Sequence, residues 1–223
     1  MSQAPLQPDS PSRQLGGWDY ACLWAGAGIA LTEIWAGGLL APLGLPLGLL
    51  AVLLGHVIGN TPLALAGWIG SRHGVAAMAS TRAALGSAGS IGPAVLNVIQ
   101  LLGWTGVMLW VGGEAATRLA DGFGSRTFWI ILGGVLTTGW ALGGHRLWKK
   151  LQAVTVLLLV ALSAWMTWLA IQHYGWQELW QKPPAGGLSF MGGLDLVIAM
   201  PVSWIPLVAD YARYARRPGP ASV

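Results

Sequence analysis

The 223-residue chain is 54% hydrophobic and only 9% charged, against about 25% charged in average soluble domains, which excludes an ordinary soluble globular fold. Its formal net charge of +4 is scattered between apolar segments rather than gathered in one stripe, so membrane topology explains it better than a nucleic-acid partner does. The single cysteine, Cys22, excludes an internal disulfide and a cysteine metal cluster.

Residues 1–19, MSQAPLQPDSPSRQLGGWD, are polar and rich in Pro, Ser and Gln. They lack the basic start and apolar middle of a cleaved signal peptide, and predict a disordered cytoplasmic tail. Six apolar segments follow, near 20–41, 45–69, 92–112, 127–143, 148–171 and 192–212. Each suits a hydrocarbon core about 30 Å thick, allowing for tilt and boundary residues; the fourth is short and draws on its neighbours. The expected class is an all-α polytopic membrane protein with six transmembrane helices. With the N-terminus in the cytoplasm, the inside segments hold Arg13, Arg72, Arg82, Arg146, Lys149, Lys150, Arg213, Arg216 and Arg217, and the outside loops hold Arg118, Arg126 and Lys182. Nine against three follows the positive-inside rule, so both termini are expected on the cytoplasmic side of the cell inner (plasma) membrane. The pairs Gly44/Gly48, Gly55/Gly59 and Gly139/Gly143 would let helix backbones approach, though 33 glycines also produce such spacings by chance.

The first span, GAGIALTEIWAGG, carries Glu33. A carboxylate there costs roughly 2.5–3.5 kcal/mol on insertion scales unless paired, hydrated or protonated. It reads either as a protonated or water-exposed group, or as a proton-linked group lining a cavity. Gly26 and Gly28 just before it would ease local unwinding and free carbonyls for a cation. In the third span Asn97, Gln100, Trp104 and Met108 recur at offsets of three, four and four, forming one helical stripe. Two amides, an indole and a thioether suit a flat heteroaromatic ligand, stacked on Trp104 and read at its edge; helix–helix hydrogen bonding and packing are the structural alternative. Trp110 and Trp129 read as interfacial-belt residues.

The last span ends in MPVSWIPLVADYARYARRP. Pro201 and Pro206 each remove a backbone donor, and two so close predict a discontinuous helix, tolerable in a bilayer beside protein or a water-filled cavity. Ser203 and Trp204 lie at that break. Asp210 and Arg213, three apart, are expected to pair at the cytoplasmic interface in a gating or structural role, with Tyr211 and Tyr214 as anchors. No HExxH, GxSxG or Cys/His cluster occurs, and His56, His73, His145 and His173 lie on separate segments, which argues against an enzyme and against a bound metal.

Four stretches carry a resemblance: LTEIWAGGLLAPLGLPLGLLAVLLGHVIG over the first two spans, STRAALGSAGS with Arg82, Gly86, Gly89 and Ser90, LNVIQLLGWTGVM in the third span, and SWIPLVADYARYARRP at the end. Together they resemble the N-terminal half of the nucleobase–cation symporter-1 family, the cytosine, hydantoin and allantoin permeases, with the hydroxymethylpyrimidine transporter branch nearest. The resemblance implies a five-plus-five inverted-repeat fold whose first and sixth helices are broken at the substrate site. It implies a planar heterocycle held between aromatic side chains of the third and sixth helices, with Trp104 as the stacking tryptophan. Met108 stands where some members have glutamine, which passes edge reading to Asn97 or Gln100. Trp204, with Ser203 beside it, is the nearest match to the sixth-helix aromatic, which in the family lies somewhat further before the Asp-aromatic-x-Arg run.

The implied activity is secondary active uptake of a pyrimidine-like nucleobase or thiamine precursor (hydroxymethylpyrimidine, cytosine). It would be coupled to Na+ or H+ near Gly26, Gly28 and Glu33, without a cofactor. The expected domains are a truncated transporter domain at 20–217 and a short tail at 218–223, the eighth helix of the family being absent. The expected partners are therefore a small heterocyclic solute, the lipid bilayer, and either a missing C-terminal half or a second copy. An amino-acid permease of the same architecture and an inactive membrane fragment are the alternatives.

Overall fold

The structure is a computed structural model that describes residues 13–217. The tail expected at 218–223, and residues 1–12 of the one expected at 1–19, lie outside the described residues. Regular structure among the described residues is helical, apart from an isolated parallel bridge between Leu15 and Ala215. In chain order the helices are α1 (Gly17–Gly28), α2 (Leu31–Gly38), α3 (Leu45–His73), α4 (Ala77–Ser80), α5 (Arg82–Gly89), α6 (Ile91–Leu119), α7 (Arg126–Leu142), α8 (Gly144–Tyr174), α9 (Trp176–Gln181), α10 (Phe190–Val202) and α11 (Ile205–Ala212), with a 3-10 turn at Ala41–Leu43. Helix therefore begins inside the stretch read as tail.

Four helical segments are long and apolar enough to cross a membrane: Leu45–His73, Ile91–Leu119, Leu151–Tyr174 and Phe190–Ala212. The pair Gly17–Gly28 and Leu31–Leu43, bent by 46°, makes a fifth if taken as one span. The 17 residues of α7 rise about 25 Å, short of the roughly 30 Å hydrocarbon core. Length and composition thus give four or five spans where six were expected.

The chain divides into two compact units, one drawn from Met1–Ala21, Leu40–Val95 and Trp180–Val223, the other from Cys22–Leu39 and Leu96–Leu179. The first unit is built on a seam of small residues along α3. Gly48, Ala51, Gly55, Gly59, Leu63, Gly67 and Gly70 are buried there at helical spacing. A Cβ on Gly55 would stand 2.6 Å from Val197, one on Gly59 2.5 Å from Pro201 Cγ, and one on Gly70 2.6 Å from Ala209 Cα. Only glycine allows this approach, as in small-residue packing of membrane helices generally. These contacts ascend both chains together, so α3 and α10–α11 run parallel. Beyond the end of α11 the two ends of the described segment meet: Gln14 and Leu15 N–H both donate to Tyr214 O at 3.0 Å, and Arg216 N–H donates to Leu15 O at 2.9 Å.

In the second unit α6 packs on α7, where a Cβ on Gly113 would meet Ile130 Cγ1 at 2.6 Å and Leu109 lies over Gly133 and Gly134. Ser125 caps α7 by accepting from Phe128 N–H at 3.2 Å, supplying one of the four unpaired donors of a helix start. Trp129, expected in an interfacial belt, donates its indole N–H to Phe123 O at 3.0 Å and packs edge-on with Phe123 and Phe128. Glu114 bridges Arg118 at 2.9 Å and Arg126 at 3.6 Å.

Candidate functional site

The residues singled out by sequence lie on two interrupted helices and on the continuous helix α6. The second unit contains Gly26, Gly28, Glu33, Asn97, Gln100, Trp104 and Met108; the first contains Pro201, Ser203, Trp204, Pro206, Asp210 and Arg213.

In the second unit α1 stays helical through Gly28, so the interruption falls just after the glycines expected to loosen the chain. Ala30 is extended at φ −68°, ψ 160° and stands as the residue before α2. Glu33 consequently lies in the first turn of α2, where backbone N–H groups lack intrahelical partners. Its Oε2 accepts from the Thr32 hydroxyl at 2.7 Å. The same hydroxyl lies 3.3 Å from Met108 Sδ on α6. The structure thus brings Glu33 and Met108 together through a residue that the sequence reading did not single out. Gly26 faces α8: a Cβ there would run into the Gln152 amide, which donates to Cys22 O at 3.2 Å. Gly28 meets nothing within 4 Å.

Asn97, Gln100 and Trp104 share the less exposed side of α6. Asn97 is buried, Gln100 and Trp104 are half-buried, and the residues between them are exposed. Asn97 is 8% exposed, and its Oδ1 has no hydrogen-bond partner among the described residues. A buried amide oxygen without a donor costs about 1–3 kcal/mol, so this acceptor calls for a ligand, water or chain to satisfy it. The stripe ends at Met108, where α2 arrives.

In the first unit, α10 and α11 are separated by Ser203 and Trp204, both with right-handed helical dihedrals. Ser203 Oγ donates back to Met200 O at 2.7 Å. The Trp204 carbonyl accepts from Leu207 and Val208 N–H, both at 2.9 Å. Pro201 is buried against α3, and Pro206 is half-buried in the first turn of α11. The expected Asp210–Arg213 ion pair does not form. Arg213 still stands near enough to act on Asp210 through its charge, as does the Ala77 backbone N–H at the start of α4, while Arg213 lies over the Tyr214 ring at 4.9 Å with Nη2 donating to its hydroxyl at 2.9 Å. A helix start has free donors and a ring face attracts a cation, so each charge has a neutral partner at hand. Tyr20, in α1, donates to Tyr211 O at 2.9 Å and ties the N-terminal helix to α11.

Three residues in these contacts were missed: Thr32, Gln152 and Tyr20. A hydroxyl beside the only carboxylate of the first span was a legible signal for Thr32. Gln152 and Tyr20 bond backbone carbonyls distant in sequence, which no spacing shows.

Comparison with known proteins relates the chain to permeases. A sequence model for permeases of cytosine/purines, uracil, thiamine and allantoin matches residues 8–223. The chain is 30% identical over 120 residues to the purine-uracil permease NCS1 of Arabidopsis thaliana, an alignment covering 52% of this chain and 20% of that protein. It is 22% identical over 188 residues to an uncharacterized permease of Schizosaccharomyces pombe, covering 83% of this chain and 31% of that one. The matched region therefore spans less than a third of the length of either curated relative.

Proposed function

Because the chain belongs to the family of permeases for cytosine/purines, uracil, thiamine and allantoin, we propose that it forms part of a secondary active transporter for a pyrimidine-like nucleobase or thiamine precursor. The observation that carries this reading is the α6 stripe. An indole at Trp104, the unsatisfied acceptor of Asn97 and the amide of Gln100 together offer a stacking plane and edge-reading groups for a flat heterocycle. Glu33, Gly26 and Gly28 at the α1–α2 interruption would serve Na+ or H+ coupling. In the first unit, Trp204 and Ser203 at the α10–α11 interruption would be solute-facing residues. Two interrupted helices, the first and the last of the chain, support a five-plus-five inverted-repeat fold of which this chain carries the first repeat and one helix more.

Six crossings are supported by parity. Since α3 and α10–α11 run parallel, they enter the bilayer from the same face, and an odd number of crossings must separate them. The long helices α6 and α8 account for two. The short α7 between them supplies the third, with its neighbouring residues making up the length. The hydrogen bonds of Gln14 and Leu15 to Tyr214 put the start of α1 and the end of α11 at one face, which requires an even total. Nine basic residues against three support a cytoplasmic placement of that face. Alternating access needs two repeats moving against each other, so coupled uptake would require either a C-terminal half or a second copy.

Binding of labelled hydroxymethylpyrimidine, cytosine and leucine to the purified chain in nanodiscs tests the solute class. Pyrimidine binding without leucine binding is the expected result; the reverse would move the chain to an amino-acid permease.

A further inference from the structure

The contact between α2 and α6 passes through one hydroxyl. Thr32 is 3% exposed, and its Oγ1 sits 2.7 Å from Glu33 Oε2 and 3.3 Å from Met108 Sδ. A threonine hydroxyl has one proton to donate and two lone pairs that accept, so it cannot serve both neighbours as donor at once. A carboxylate is much the stronger acceptor, because hydrogen bonds to ionised groups are roughly twice as strong as neutral ones, while a thioether accepts only weakly. With Glu33 ionised, the proton points at Oε2 and the hydroxyl lone pairs face Met108 Sδ, an unfavourable meeting of two acceptors. When Glu33 takes a proton from water, its carboxyl O–H donates to Thr32 Oγ1, and the threonine proton turns to Sδ. No bond within Thr32 is broken, and the only proton added is the one on Glu33.

We propose that Thr32 is a positioning residue that couples the protonation of Glu33 to the side-chain placement of Met108, one turn beyond Trp104 on the α6 stripe. The proposal rests on the permease reading above for its functional meaning and on the two contacts for its mechanism. Methionine, with three rotatable bonds and an unbranched chain, is the side chain best able to follow such a change. It would alter the shape of the solute-facing stripe with each proton bound or released. The surrounding charges leave the relay to Glu33. On α6, Glu114 is joined to Arg118 and to Arg126 of α7. On α1, Asp19 accepts from Gly16 N–H and the Tyr20 hydroxyl is held by Tyr211 O. No ion pair reaches Glu33 among the described residues, and α2 carries no other ionisable side chain.

The test observes Met108 directly. The chain is labelled with 13C at the methionine ε-methyl groups and placed in nanodiscs, and the Met108 signal is assigned by its loss in Met108→Leu. The signal should move in the wild type as the pH is lowered. It should move likewise in Thr32→Ser, which keeps the hydroxyl, and stay still in the isosteric Thr32→Val and in Glu33→Gln. Met200, on α10, should not respond in any variant and reports on folding. If Thr32→Val does not fold, Glu33→Gln and Thr32→Ser decide alone. Equal movement in Thr32→Val, persistence in Glu33→Gln, or a motionless wild-type signal would overturn the proposal. Pyrimidine binding is measured on the same samples: a responding Met108 without pyrimidine binding sustains the relay and removes the permease reading instead.

Discussion

The two interrupted helices are broken in opposite ways. Between α1 and α2 there is no proline, yet one extended residue, Ala30, ends the ladder, and the axis turns by 46°. Between α10 and α11 there are two prolines, yet Ser203 and Trp204 keep helical dihedrals and Ser203 N–H still reaches Ala199 O at 3.0 Å. Proline costs a donor and crowds the preceding turn, but its fixed φ is itself helical, so a packed neighbour can hold the chain straight. The neighbour here is the glycine seam of α3, on which Pro201 rests. Proline count thus misjudges where the axis turns: the proline-marked segment is a packed wall, and the glycine-flanked one is the bend, or joint.

The largest effect should come from forcing the wall. A Cβ on Gly70 would stand 2.5 Å from Ala209 Cβ and 2.6 Å from its Cα, a neighbour that cannot swing aside as the end of a long side chain does. Overpacking a close-packed contact typically costs about 1–3 kcal/mol, and Gly70→Leu adds a whole side chain. Gel filtration and thermal melting in detergent should show aggregated or strongly destabilised protein. A normal melt would mean that the seam is soft and the contrast with the joint is false.

Next comes the α6 stripe, proposed above to face the solute, which the joint meets at Met108. Base–aromatic stacking is worth about 1–3 kcal/mol per base in nucleic-acid-binding proteins, which corresponds to roughly ten- to hundredfold in affinity. Trp104→Ala should weaken pyrimidine binding by that factor, and Trp104→Phe should retain part of it. With Trp104 half-buried on a largely exposed helix, the melting temperature should move far less than in Gly70→Leu.

The two prolines themselves should separate. Pro201→Ala removes ring carbons buried on Gly59; at about 0.8 kcal/mol per buried methylene, a loss of about 1–2 kcal/mol is expected. Pro206 occupies the first turn of α11, where the missing N–H would have no intrahelical partner anyway. Pro206→Ala should be close to neutral by thermal melting. A gain in stability in Pro201→Ala would show that the backbone cost of an interior proline outweighs its packing on Gly59.

Much of this was legible in the sequence because hydropathy and helical periodicity are local. The apolar segments, the α6 stripe and the Gly55/Gly59 spacing all follow from residues within a few turns of one another. The site of each break was legible too, within a residue or two. The severity of each break was not, because it depends on what packs beside it, as Gly59 does beside Pro201. Asp210 illustrates the same limit. Its spacing pointed to Arg213, whose charge does reach it, but it also faces the Ala77 backbone, a partner no motif encodes. The 17 residues of α7 fall short of a length criterion, and the crossing proposed there rests on the parallel course of α3 and α10–α11.

The smallest expected effect bears most directly on the joint. Gly28 is the last residue of α1 and has open space where a side chain would go, whereas Gly26, half a turn earlier, faces the Gln152 amide. Alanine is favoured over glycine in helices by up to about 1 kcal/mol, partly by restricting the unfolded chain. Gly28→Ala should therefore leave the melting temperature unchanged or raise it slightly. Gly26→Ala should lower it, since the new methyl displaces the Gln152 bond to Cys22 O, worth about 0.5–1.5 kcal/mol. If Gly28→Ala is instead as damaging as Gly26→Ala, the last turn of α1 must adopt a backbone conformation that only glycine reaches. The joint would then be a glycine hinge rather than an interruption set by Ala30.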